Sequence, residues 1–248
     1  MEEHTKEYRK CLGELFETGD YSDLQLHCGT KTYAAHRAVV FYQSPKIKKE
    51  HTPPGGKSPG FGHPSSGFPN PKGQYRFLYN DPQAVDCAVQ YFYRWDYEIS
   101  GRARDAKVGK GVMYEEDAID DTMIPLGSDL ITHVRVFALA EEYGIRPLKS
   151  LSVAKFEAAA QHYGKTHYFT DAAREAYNSA ALDNAREMRD SVVEFLHKRR
   201  YLLHEDHVKR LMLDKPQLSL DLHLHGPIVP PNSSSLPGFG GGFHQIKK

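Results

Sequence analysis

Three cysteines and fourteen histidines are the residues of this 248-residue chain best suited to nucleophilic, acid–base or metal chemistry. One short stretch, YSDLQLHCGTKTYAAHRAVV, brings together an acid (Asp23), a thiol (Cys28) and a histidine (His36) followed by Arg37. A thiolate nucleophile with a histidine base would need a lowered cysteine pKa and partial exposure. Cys28 stands instead in period-two phase with Leu24 and Leu26, which turns it toward a core. His36 precedes an apolar segment, where capping and packing the start of a helix is its ordinary role. No GxSxG stretch supplies another nucleophile.

The remaining chemical candidates are weaker. His204 and His207 stand three apart and His223 and His225 two apart, with no cysteine nearby and no evident third ligand, so no metal site is expected. Val108-Gly109-Lys110-Gly111 lacks the upstream glycine and the following Ser or Thr of a phosphate loop. The basic run His197-Lys198-Arg199-Arg200 suits a helix C-terminus, though it could also serve nuclear import. Pro227 and Pro230 satisfy PxxP, a pattern that a proline-rich tail meets easily. No cofactor is expected.

The elements that must position these residues follow from composition and periodicity. Thirty-two basic residues balance thirty-two acidic ones, and the pI is about 7.2 with a mean hydropathy of −0.60. Nucleic-acid or membrane-surface binding would call for a basic excess, so neither partner is expected. The three cysteines form no CxxC pair and read as reduced thiols. Residues 1–20 carry no signal-type apolar core, and no run reaches the ~18 apolar residues of a membrane span. An intracellular protein, cytoplasmic or nuclear, is expected.

In residues 5–17 the set Tyr8, Cys11, Leu12, Leu15 and Phe16 makes one helical stripe, ended by Gly19-Asp20. A helix this short cannot hide that stripe alone, so it must dock on the fold or on a second copy. Leu24 to Cys28 and Lys31 to Ala35 read as a hairpin about Gly29-Thr30. A short helix follows from His36 to Gln43, and Ser44-Pro45 opens another. Residues 51–73, about half Gly and Pro, read as a mobile insertion.

Residues 74–79 are strand-like. Asp81-Pro82 is an N-cap followed by a first-turn proline, and its helix carries Val85, Ala88, Val89 and Phe92 on one face. A long loop is expected over 99–127. Residues 129–143 are apolar on nearly every side, which predicts a central buried helix stopped by Gly144. Pro147 opens a helix with Leu148, Leu151, Ala154 and Ala158 as its stripe. Between 169 and 224 further amphipathic helices are expected, the clearest with Leu182, Ala185, Met188, Val192 and Leu196 on one side. Residues 226–248 are expected to be disordered. There is no internal repeat.

The order of a helix, SDLQLHCGTKTYAAHRAVVFYQSP, a strand, DPQAVDCAVQYFYRWDYE and HVRVFALAEEYGIRPLKSLSVAKFE resembles the BTB/POZ domain, in the style of stand-alone fungal BTB proteins with a helical C-terminal extension. The resemblance implies an α+β fold with a small mixed sheet flanked by helices over residues 1–163. The helical extension would cover 164–225 and the tail 226–248. It also implies protein–protein association: homodimerisation, and in many members delivery of a bound partner to a cullin-based ubiquitin ligase. In dimeric members an acid at the first strand and a Lys or Arg after the histidine lie near the subunit interface. Asp23 and Arg37 match those positions, and a fully buried pair of this kind costs about 3–5 kcal/mol to break singly. The hydrophobic-x-Glu contact of cullin-binding members is not matched by Ile47-Lys48-Lys49-Glu50.

Three functions follow as expectations. The first is a non-enzymatic interaction module that self-associates through Tyr8, Cys11, Leu12, Leu15 and Phe16 with Asp23, His36 and Arg37. The second is a cullin-ligase adaptor using residues 47–50 and the 81–97 helix. The third is a thiol or hydrolase-type enzyme using Cys28 and His36.

Overall fold

The alternation of Leu24, Leu26 and Cys28 with Gln25 and His27 becomes β1 (Leu24–Cys28), which pairs antiparallel with β2 (Lys31–Ala35). Gly29, at φ 55°, supplies the left-handed turn between them. A third strand, β3 (Gly73–Phe77), runs parallel to β1 in the register Leu24↔Gly73 to Cys28↔Phe77, giving the sheet order β2-β1-β3. The computed structural model describes residues 2–51, 73–99, 127–178 and 185–225. Among these, ten α-helices, one 3-10 helix and three strands make a mixed, mostly helical α+β fold.

The helices around the sheet are α1 (Glu2–Thr18), α2 (Arg37–Gln43), α3 (Pro45–His51) and α4 (Pro82–Arg94). Pro45 and Pro82 both stand at first-turn positions, and the Asp81 carboxylate accepts from the Gln83 and Ala84 amides at 3.1 and 2.9 Å. The expected 51–73 insertion begins after His51, which still belongs to α3, and ends before Gly73, which opens β3. Those two ends meet: a side chain at Gly73 would collide with the Arg37 guanidinium and the His51 ring. The interior of that insertion, most of the 99–127 loop, Leu182 and the 226–248 tail lie outside the described residues. The strand expected over 74–79 stops at Phe77, and Leu78 and Tyr79 stand exposed.

Helix α4 departs from the one-faced stripe expected of it. Besides Val85, Ala88, Val89 and Phe92, it also buries Ala84, Cys87, Gln90, Tyr91 and Tyr93. The reason is that α1, α2 and α5 (Asp129–Tyr143) pack around it. Helix α5 holds the bounds its all-round apolar character predicts, and Gly144 ends it at φ 71°.

The structure also supplies the cause of that all-round character, because α5 is shared by two hydrophobic clusters. Val136, Leu139, Ala140 and Tyr143 face the first, with the sheet and α4. Leu130, Val134 and Phe137 face the second.

Helix α6 (Arg146–Tyr163) returns along α5 and divides in the same way, with Leu148 in the first cluster and Phe156, Ala159 and Ala160 in the second. Its stripe is a correction: Ala154 and Ala158 are exposed, and Ser152 and Phe156 are buried in their place. The large Phe156 ring sets the phase, because alanine has little area to bury.

The second cluster is completed by α7 (His167–Asn178), α8 (Glu187–Lys198), the 3-10 helix Arg200–His204, α9 (Asp206–Asp214) and α10 (Pro216–His225). The helices after residue 164 therefore share their core with α5 and α6. Met188, Val192 and Leu196 face it as expected.

Asp221, buried at 5 %, ties this half together. It accepts from the Tyr177 hydroxyl at 2.8 Å and the Gln217 amide at 3.0 Å, and pairs with Arg186 at 3.3 Å. Burial pushes its pKa up, but the donors from Gln217, Tyr177 and Arg186 outweigh that and hold the carboxyl below its ordinary value.

Candidate interaction surface

The stripe on α1 is split by its docking. Leu12 is buried, and Phe16 stacks on Tyr93 of α4 with ring centroids 5.0 Å apart at 19°. Arg94 closes this contact, pairing with Glu17 at 3.0 Å and lying 5.8 Å from the centre of the Phe16 ring. Leu15 is half-buried, and Tyr8 and Cys11 stay open, Tyr8 at 57 %.

Beside Tyr8, at a centroid distance of 6.2 Å, stands Trp95. Trp95 is the C-cap of α4 and is held in the left-handed region at φ 57°. The Arg9 guanidinium covers its ring at 4.9 Å. One edge of the α1–α4 contact thus presents a tyrosine, a tryptophan and an arginine together, the residue types that dominate binding hot spots.

His36 sits beneath this surface in a closed network. Its Nε2 lies 2.7 Å from the Asp20 carbonyl oxygen, which can only accept, so in the neutral ring the proton is on Nε2. Nδ1 then accepts from the Tyr93 hydroxyl at 3.0 Å, and that hydroxyl accepts from the His36 amide at 2.9 Å. Burial pushes the Tyr93 phenol up to about 12. Both ring nitrogens are engaged, so His36 fastens the hairpin to α4 and to the end of α1.

The sequence signal for this network was Tyr93 itself, a phenol in a core phase that has to find a partner. Asp23 and Arg37 come together through the main chain and not as the charged side-chain pair considered from the sequence. Asp23 is exposed, and its carboxylate accepts from the Arg37 main-chain amide at 2.8 Å, at the start of α2. The acid thus serves a helix N-terminus, where a carboxylate is favoured.

Cys28 and His36 do not form a pair. In the β1–β2 register Cys28 stands opposite Lys31, whereas His36 lies beyond Ala35, the partner of Leu24. The two sit at opposite ends of the hairpin, roughly 16 Å apart at about 3.3 Å per residue. Burial, then the charge of Asp81, push the Cys28 thiol up, and burial takes Cys87 up to about 12. Only Cys11 is exposed. A thiol reagent is therefore expected to take one equivalent on the native protein and three after denaturation, read by intact mass. Labelling of Cys28 in the native state would contradict this burial.

Among the described residues no group of three or more His, Cys, Asp or Glu is placed to hold a metal. His225 meets His197, ring centroids 5.2 Å apart, in place of a third ligand. No helix among the described residues is long and apolar enough to cross a membrane.

Neither a family model nor a curated protein matches this chain. The functional reading therefore rests on its own residues: an aromatic edge on α1 and α4, a buried histidine–tyrosine fastening beneath it, and two of the three thiols, Cys28 and Cys87, withdrawn into the core.

Proposed function

We propose that this chain is a non-enzymatic BTB/POZ-type interaction module that self-associates through the open edge of α1. The observation that carries the reading is the half-docked stripe. Leu12 and Phe16 are spent on the chain's own core, whereas Tyr8 and Cys11 stay open beside Trp95, itself 37 % exposed. A second copy covering that edge would bury aromatic area worth about 25 cal/mol per Å².

The motif order supports the fold side of the reading. The SDL run enters β1, the AHRAV segment joins β2 to α2, and the ALAEEYGIRPLK segment spans the α5–α6 turn. Self-association is preferred over the cullin-adaptor alternative for a local reason. Ile47 is fully buried in the first cluster, so residues 47–50 present only Lys48, Lys49 and Glu50 at the surface.

Light scattering on the purified full chain tests the proposal. A dimer is expected at tens of micromolar and a monomer for Tyr8→Glu, since a charge at this edge would be desolvated without a partner. A parent protein that stays monomeric at that concentration would overturn it.

A further inference from the structure

The link between β3 and α4 carries two large side chains with no shelter, Leu78 at 62 % and Tyr79 at 105 % exposure. Tyr79 is also held in the left-handed region at φ 64°, where a side chain is strained relative to glycine. Strain of this kind persists where surrounding structure imposes it, and it clusters at binding sites. The ring itself lies wholly in solvent, and the backbone is held by the next residue, Asn80, which donates to Glu142 and accepts from the Tyr143 hydroxyl, both at 3.0 Å.

Tyr79 forms the lip of a cleft of about 240 Å³ between this link, α5 and α7. Ala84, Ala138 and Leu139 make its floor. Among the described residues its rim holds the carboxylates of Asp81, Glu142 and Glu175 against a single lining cation, Arg135. Arg135 bridges Asp81 at 3.0 Å and Glu175 at 3.2 Å, which leaves those two acids sharing one positive charge. Glu142 accepts from Lys46 at 2.6 Å and from the Asn80 amide at 3.0 Å. With Lys46 counted, the described residues give the cleft three negative charges against two positive ones.

We infer that this cleft docks an extended segment of a partner protein, taking one lysine or arginine side chain between the rim carboxylates and the face of Tyr79. The molecule already uses this chemistry next door. Lys46 lies 4.7 Å from the centre of the Tyr143 ring while its ammonium pairs with Glu142. A cation is best held where an aromatic face and a carboxylate meet, and the apolar floor suits the methylene stem that carries it. The cleft uses no residue of the α1 edge, so this inference stands apart from the self-association.

Arrayed octapeptide pools, each with a fixed central arginine, glutamate or leucine and random flanks, test it on the full chain. The arginine pool is expected to bind best. That binding should fall roughly tenfold or more in Tyr79→Gly and in the double variant Glu142→Gln/Glu175→Gln, as for loss of a hot-spot contact. Tyr79→Gly also relieves the left-handed strain, so its Tm should rise by about 2–4 °C while its binding is lost. Tyr8→Glu should leave the arginine signal unchanged, which separates this result from the fate of the dimer. Equal binding of the glutamate or leucine pool, no binding by any pool, or full binding by both variants would overturn the inference.

Discussion

Phe137→Ala is expected to destabilise the protein by about 3–5 kcal/mol, the range for truncating a fully buried phenylalanine, and to lower the stability of both halves together. Phe137 is buried in the second cluster, at the helix that also sends Val136, Leu139, Ala140 and Tyr143 into the first. A cavity on one face of α5 should weaken the support for the other. The chain offers a clean test, because its single tryptophan, Trp95, ends α4 beside the first cluster. Urea unfolding followed by tryptophan fluorescence reports on that half, and far-UV circular dichroism reports on all helices. Coincident midpoints in the parent, shifting together in the variant, are the expected result. A Trp95 midpoint that stays put while the circular dichroism transition moves would refute the shared core.

The second large effect is on acid stability, through His133. This residue is 5 % exposed, and its Nδ1 accepts from the hydroxyl of Tyr97, itself buried, at 2.8 Å. Burial, and after it the positive charge of Lys155, lower its pKa to about 3. In the unfolded chain the same ring takes a proton near 6.5. Between those values the unfolded state binds the extra proton, so stability must fall as the pH drops from about 6.5 toward about 3.

The full shift corresponds to about 4–5 kcal/mol, lost at no more than about 1.4 kcal/mol per pH unit. Denaturant midpoints measured across this range for the parent and for His133→Gln isolate the histidine from the carboxylates common to both. Glutamine can still accept from Tyr97, and the variant should show the shallower slope. Parallel slopes would show that His133 takes up its proton in the folded state.

Much of this fold can be read in the chain, and the reasons differ by element. The hairpin follows from the alternation of β1 and the turn at Gly29, and the start of α4 follows from Asp81-Pro82, because both signals are local. Helix α5 is legible for a subtler reason: a helix apolar on every side has a core on every side. What that pattern does not say is that there are two cores, since periodicity counts faces and does not say what covers them.

The phase of α6 is hidden by its alanines, which are indifferent to burial until Phe156 chooses. The parallel β1–β3 pairing is invisible locally, because its partners are brought together by α2 and α3. At the surface, the residue types near Asp23 and His36 pointed to charge. Their roles, a carboxylate on a helix start and a ring fastened at both nitrogens, depend on where Tyr93 and Asp20 lie in space.

The split membership of α5 and α6 also sets an order of events on the ribosome. The first cluster gathers residues from Leu24 to Leu148, so the sheet and α4 emerge well before the helices that cover them. A nascent chain released up to the end of α4 shows Val89, Phe92 and their neighbours to whatever surrounds it. The α5–α6 hairpin is joined by only Gly144 and Ile145, and contacts this local form early in folding. The turn of synthesis that delivers this hairpin therefore closes the older half and seeds the younger one in the same step.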